Sequence, residues 1–355
     1  MGLKDLFSYY PLRRVLHGLA MYVLLVLALS AVFNQVAERS LRSQMDEEVV
    51  RVLRLSGNLE PAAFDALKAS TYGELRLRYH LDEGWISRVL LRAADVLSFR
   101  FGQSDSLKSA SGERSVLGLV LEVLPNTLLL FGSEAILVMA LGLVVGLLAA
   151  RRRGGPLDRL LSVLPMLLNG FPPWWVGMLA LMALAYALPL FPSGGIHSNP
   201  APAGLWGGLD LLWHLALPLF VLVALNLWGF ALQVRNLVVG LFASPWIQAA
   251  RSRGLPEGSI LFRHVLSGAR PALLTMLVMG LLQSISGNLL IEGIFGWPGI
   301  GNLYFIAVQQ SDVPVLLGVL AFQTFLNLVG LVGLDLAYRL LDPRVAARDR
   351  VGARA

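Results

Sequence analysis

A chain of 355 residues that is 56% apolar and only 15% charged is too apolar for an ordinary soluble domain. Its net charge of +6 is spread as a marker of membrane sidedness, with no basic patch carrying groove-reading or aromatic elements, which excludes a nucleic-acid binder. Cysteine is absent, which excludes disulfides, thiol chemistry and Cys-ligated metal.

Six stretches meet the rule of about 20 consecutive apolar residues for a membrane helix. They fall at roughly 15–33, 123–150, 160–191, 211–234, 271–291 and 313–334. Long apolar runs rather than short alternation exclude a transmembrane β-barrel. The expected fold is therefore an all-α integral membrane protein with six transmembrane helices. Of the 29 Lys and Arg residues, 12 lie in 34–115, where 12 acids balance them. The others lie at the N-terminus, at 151–159, at 235–270 and from Arg339 onward, while 192–210 and 293–312 carry none. By the positive-inside rule both termini are expected inside.

Taken in chain order, 1–33 is read as a cytoplasmic N-terminus and first span. Its apolar run is longer than a signal-peptide core. Residues 34–115 read as an external helical domain, in which Met45–Arg54 carries acids first and Arg last, as a helix dipole prefers. Pro61 opens a second helix there, and Trp85, Val89, Leu90, Ala93 and Leu97 recur at helical spacing in a third. Residues 116–343 form a five-helix core with an inner loop at 240–268, and 344–355 is a cytoplasmic tail. In the second span, Gly142 and Gly146 make a small-xxx-small pattern suited to close helix packing. Pro165, Pro172 and Pro173 interrupt the third span, near a translocation path or as a packing kink.

The inner loop holds the most informative segment, Ser244 to Glu257. Ser244 suits an N-cap, Pro245 a first helical turn, and Gly254 a left-handed stop. Pro256 and Glu257 then open another helix, with the acid at its positive end. This elbow, on the inner face, reads as a docking surface for another protein.

The three lysines, Lys4, Lys68 and Lys108, do not follow a Gly-x4-Gly frame, so no Walker A site is expected. H-E-x-x-H and G-x-S-x-G are absent as well. Catalytic and metal residues are therefore expected to number none. Polar groups within spans are functional candidates by default. Glu134 is read as protonated or paired. Asn226, Gln283, Ser286 and Asn288 are candidates for lining a solute path or for bonding between helices. A stand-alone secondary transporter or channel is the alternative, though paired intramembrane acids and inverted repeats are missing.

Gln248-Ala249-Ala250-Arg251-Ser252-Arg253-Gly254-Leu255, with Arg263, His264 and Pro271 downstream, resembles the EAA loop of ABC-importer permeases, closest to the dipeptide/oligopeptide/nickel group. Glu292, Pro298, Gly299 and Gly301 resemble that group's V-E-x-x-F-x-x-P-G-x-G, and Asp335, Asp342 and Pro343 its terminal D-x-x-Y-x-x-x-D-P-R. Leu124-Pro125-Asn126-Thr127, Asp158-Arg159 and Pro192–Gly195 fall in register, while the group's P-G-D-P element is missing. The resemblance implies a non-catalytic permease subunit in a bacterial or archaeal inner membrane, importing peptides, nickel or another small polar solute. It implies a second permease, two cytosolic ATPases that bind the ATP and Mg, and an external solute-binding protein. It assigns ATPase coupling to Gln248, Ala249, Ala250, Arg251, Arg253, Gly254 and His264.

Overall fold

The computed structural model describes residues 10–57, 61–78 and 81–341. Among them the regular secondary structure is helical, apart from one isolated β-bridge between Gln103 and Ser115. Five helices are long and apolar enough to cross a membrane, and the number rises to six if one bent pair counts as a span. Two compact units divide the chain, one of Leu12–Glu122 with Tyr304–Leu328, the other built on Val123–Leu303.

In the first unit, α1 (Tyr10–Leu55) is one unbroken helix of 46 residues. At 1.5 Å per residue it is roughly 70 Å long, more than twice the thickness of a hydrocarbon core. The separate helix expected from Met45 is thus the continuation of α1, and its acids lie far from any first turn. Hydropathy changes near residue 34, but backbone hydrogen bonding does not depend on which side chains face lipid. The next helix, α2 (Pro61–Arg78), opens at Pro61 as expected and buries Leu75 against Met45 and Val49 of α1.

The third, α3 (Trp85–Leu97), has the expected bounds but buries a shifted face. Val89, Ala93 and Val96 are covered, whereas Trp85 and Leu90 are exposed. Polar groups decide that face. Arg88 pairs with Glu38 at 3.0 Å, Arg92 donates to Asn34 at 3.1 Å, and Asn34 donates to Glu38 at 2.6 Å. Further along, buried Asp312 accepts hydrogen bonds from Ser104, from the Ser106 N–H and hydroxyl, and from the Val315 N–H. It thereby caps the last helix and ties the 104–106 loop to it.

Beginning in the first unit and continuing into the second, α4 (Val116–Arg151) contains Pro125 and, just after it, a π turn at Leu128–Gly132. Proline removes a helical hydrogen bond, and a π turn absorbs the mismatch. The expected third span is a pair, α5 (Pro156–Leu168) and α6 (Pro173–Ala187), bent by 91°. Pro172 drives its neighbour Phe171 away from the helical region, and the Phe171 ring stacks on Trp175 at 5.5 Å. The fourth span is longer than expected, as α7 (Leu205–Phe242). It packs on α4 at the two glycines: a Cβ on Gly146 would lie 2.6 Å from the Ala231 carbonyl oxygen. The small-residue pattern therefore serves close packing.

A short helix, α8 (Pro245–Ser252), precedes α9 (residues 257–286), which includes a π turn at Ile260–Val265. Then follow α10 (Leu289–Ile294), α11 (Ile300–Gln309) and α12 (Val313–Leu341). The fifth apolar stretch was expected to run to 291, but Gly287 and Asn288 break it after Ser286.

Candidate functional site

The elbow forms as its local sequence dictates, with one exception. Pro245 occupies the first helical turn, and Gly254 takes φ +75° to close α8. Space around the glycine is open, since an added Cβ would meet nothing within 4 Å. Its requirement within this chain is conformational, the left-handed stop expected from the sequence. Ser244 stands at the N-cap without a side-chain capping bond; its backbone carbonyl accepts from the Ile247 and Gln248 N–H groups instead.

An eight-residue helix is marginal alone, so α8 depends on its buried face. Ile247 and Ala250 pack with Val234, Val238, Ile260, Leu261 and Val265. Fully burying a side chain such as Ile247 contributes about 2 kcal/mol. Gln248, Ala249 and Arg253 are exposed on the other side, and Trp246 is 46% exposed. Ala250 is thus an anchoring residue, while Ala249 is presented outward. His264 is half-buried in the π turn of α9. Arg251 is exposed yet engaged: it donates to Glu257 from Nε at 2.7 Å and from Nη2 at 3.1 Å.

A second constellation gathers motifs distant in sequence. Glu292, on α10, is fully buried. Thr127 Oγ1 donates to one carboxylate oxygen at 3.1 Å and the Asn302 N–H to the other at 2.9 Å. The same Thr127 hydroxyl accepts from the Ile300 N–H at 2.7 Å. Asn126 donates to the Pro298 carbonyl at 2.8 Å, and Trp297 Nε1 donates to the Asn126 carbonyl at 2.8 Å. The 192–195 segment joins this group, as the Gly195 N–H donates to the Phe295 carbonyl at 3.0 Å. Gly299 and Gly301 are glycine for lack of room. A Cβ on Gly299 would strike the Glu292 carboxylate and the Thr127 hydroxyl, and one on Gly301 would sit 2.7 Å from Asn288 backbone. Burial pushes the Glu292 carboxyl up to about 7, against the hydrogen bonds from Asn302 and Thr127. Beneath the knot lies an apolar core of Leu130, Phe131, Leu181, Leu217, Val221 and Trp297.

Over residues 142–347 the sequence matches the family described as binding-protein-dependent transport system inner membrane component. The chain belongs to this family. As a member it is a multi-pass, non-catalytic permease of a binding-protein-dependent ABC importer, a class that works with separate ATPase and solute-binding components. The oligopeptide transport system permease protein AppB of Bacillus subtilis is 30% identical over 227 residues, 64% of this chain and 71% of that one. The dipeptide transport system permease protein DppB of Bacillus subtilis is 29% identical over 271 residues, 76% of this chain and 82% of that one. An inward-facing structure of the MetNI methionine ABC transporter shares the fold, with a TM-score of 0.51 at 17% identity over 64% of this chain and 97% of that one.

The permease's remaining site candidates are scattered. Asn226 on α7 donates to Glu134 on α4 at 3.1 Å, so the intramembrane acid has a neutral partner. The Asn288 side chain accepts from the Leu290 and Ile291 N–H groups at 3.1 Å and caps α10, which accounts for this residue without a path. Gln283 is exposed on α9, Ser286 ends that helix, and Asp335 lies on α12. Asp342 and Pro343 lie outside the described residues.

Three residues carry more than their sequence context suggested. Thr127 joins Glu292 to Ile300 in the knot; its sequence signals were a polar Asn126-Thr127 pair inside an apolar span and its place in a segment in register with the family, neither of which names its partners. Asp158 accepts from Arg235 at 2.7 and 3.0 Å and from the Gly154 N–H at 2.8 Å, fastening α5 to α7. Asp312 caps α12 with no sequence signature beyond a lone acid before an apolar run.

Proposed function

We propose that this permease imports peptides and receives its driving force through the elbow at Ser244–Glu257. What carries the reading is the elbow's construction: one face buried on its own chain, the other presenting Gln248, Ala249 and Arg253. Such a lever, anchored at Ile247 and Ala250, transmits displacement into α7 and α9 as a rigid-body shift. Coupling residues are then Gln248, Ala249, Arg251, Arg253, Gly254 and His264, with Ala250 as anchor. The distribution of Lys and Arg supports placing the elbow and both termini in the cytoplasm and 34–115 outside.

The named functions of AppB and DppB support oligopeptides or dipeptides as solute. The assembly we propose holds a second, related permease, two ABC ATPases that bind ATP and Mg, and an external solute-binding protein. Asn226 and Gln283 are the described polar groups we put forward for the path. Ser286 is a further path candidate, and Asp335, Asp342 and Pro343 are carried as positions of the family's terminal motif.

Reconstitution of the complete transporter in proteoliposomes tests this. ATP-dependent uptake of labelled di- to pentapeptides is expected, with no uptake by this chain alone. Uptake of nickel or a metal chelate with peptides inert would replace the peptide reading. Uptake by the chain alone on an ion gradient would overturn ATP coupling.

A further inference from the structure

Both arginines of the elbow are basic, exposed and two residues apart, yet the fold treats them differently. Arg251 and Glu257 are six residues apart, a separation that no continuous helix brings face to face. They meet because Gly254 reverses the chain at φ +75° between them. The contact is bidentate, Nε to one carboxylate oxygen at 2.7 Å and Nη2 to the other at 3.1 Å. The Arg251 guanidinium carbon also sits 5.4 Å from the centroid of the Phe242 ring, at the end of α7. One side chain therefore touches the end of α7 and the first turn of α9 while rooted in α8. Arg253 is exposed and makes no ion pair among the described residues.

We propose that Arg251 and Glu257 form an internal staple that sets the angle of α8 against α7 and α9, so that Arg251 is a positioning residue and Arg253 carries the elbow's outward charge. At 46% and 56% side-chain exposure the pair adds little to stability in water. Its part is geometric: the planar fork admits few orientations of the two helices it joins. The neutralised pair leaves one uncompensated cation on this turn for a partner's acids. This assignment rests on the elbow being the ATPase-facing surface only for its second half; the staple belongs to the chain itself.

The absence of cysteine makes the first test direct. A spin label on Ser252→Cys in the full-length chain reports how firmly α8 is held. Arg251→Gln and Glu257→Gln are each expected to raise the mobile fraction of the signal at least twofold. The swap Arg251→Glu with Glu257→Arg is expected to restore it. Unchanged mobility in the single variants, or a swap that stays mobile, overturns the staple. The second test uses the assembled transporter and solute-stimulated ATP hydrolysis. Arg251→Glu is expected to lose about tenfold, the swap to recover at least half, and Arg253→Glu to lose about tenfold. A swap that regains order but not activity shows that Arg251 touches the partner, and overturns its assignment as a positioning residue. Full activity in both Arg251→Glu and Arg253→Glu sinks the coupling reading, and label mobility then judges the staple alone.

Discussion

Glu292 and Thr127 show how much one buried acid can organise. A carboxylate out of water is tolerated when donors converge on it, and here a hydroxyl and a backbone N–H do so. Thr127 both donates to Glu292 and accepts from Ile300. Thr127→Val therefore removes a donor and strands an N–H, and should cost about 1–3 kcal/mol, read as a lower melting temperature in detergent. The carboxyl's rise from 4.5 to about 7 sets a pH dependence of unusual sign for an acid. Between those values the folded state holds the proton more tightly than the unfolded one. This group's contribution to stability is thus fully present below 4.5 and is lost as pH rises through about 7. Wild type should lose more stability than Glu292→Gln between pH 5 and 8; parallel melting curves would refute the assignment. Asn288 and Arg251 carry a related lesson. Their residue types were visible, but their hydrogen-bond partners were not, because those partners are chosen by a break at Gly287 and a turn at Gly254.

Among the elements, the elbow was the most legible and α1 the least. Proline at the first turn, glycine at the stop and proline beyond it act within a few residues, so local sequence is enough. The requirement at Gly254 is its positive φ in open space. Gly254→Val should then cost about 1–2 kcal/mol through strain, whereas Gly254→Asn, which tolerates this region, should be milder. Co-purification of ATPase subunits with each variant checks this, and equal loss in both would point to size instead of conformation. The phase of α8 also distinguishes the two alanines: Ala250 faces the core and Ala249 does not. For α1 and α3, hydropathy was a poor guide, since α1 continues past its apolar stretch and α3 turns to satisfy Arg88 and Arg92.

At the scale of the molecule, membership of the binding-protein-dependent permeases assigns catalysis of ATP hydrolysis to other subunits. The purified chain should accordingly show no ATPase activity in detergent with Mg and ATP, a phosphate-release assay being sufficient; release abolished by mutating residues of this chain would contradict it. The third apolar stretch illustrates the limit of counting spans by length. Its 91° bend at Pro172 turns one expected helix into two, and composition cannot distinguish a straight run from a broken one.

By itself the sequence determined that the chain crosses a membrane, that it resembles the peptide-permease group, and that a glycine-stopped elbow sits in a basic loop between apolar stretches. These follow from water-to-lipid transfer and from backbone geometry over a few residues. Only the tertiary structure decided that Asn126 and Thr127 close on Pro298, Ile300 and Glu292 across about 165 residues, that Asp312 holds Ser104 across about 208, and that Arg251 pairs with Glu257 while Arg253 makes no ion pair among the described residues. Hydrogen bonds and ion pairs have a reach of about 3 Å, and no pattern along the chain states which distant groups folding will bring within it.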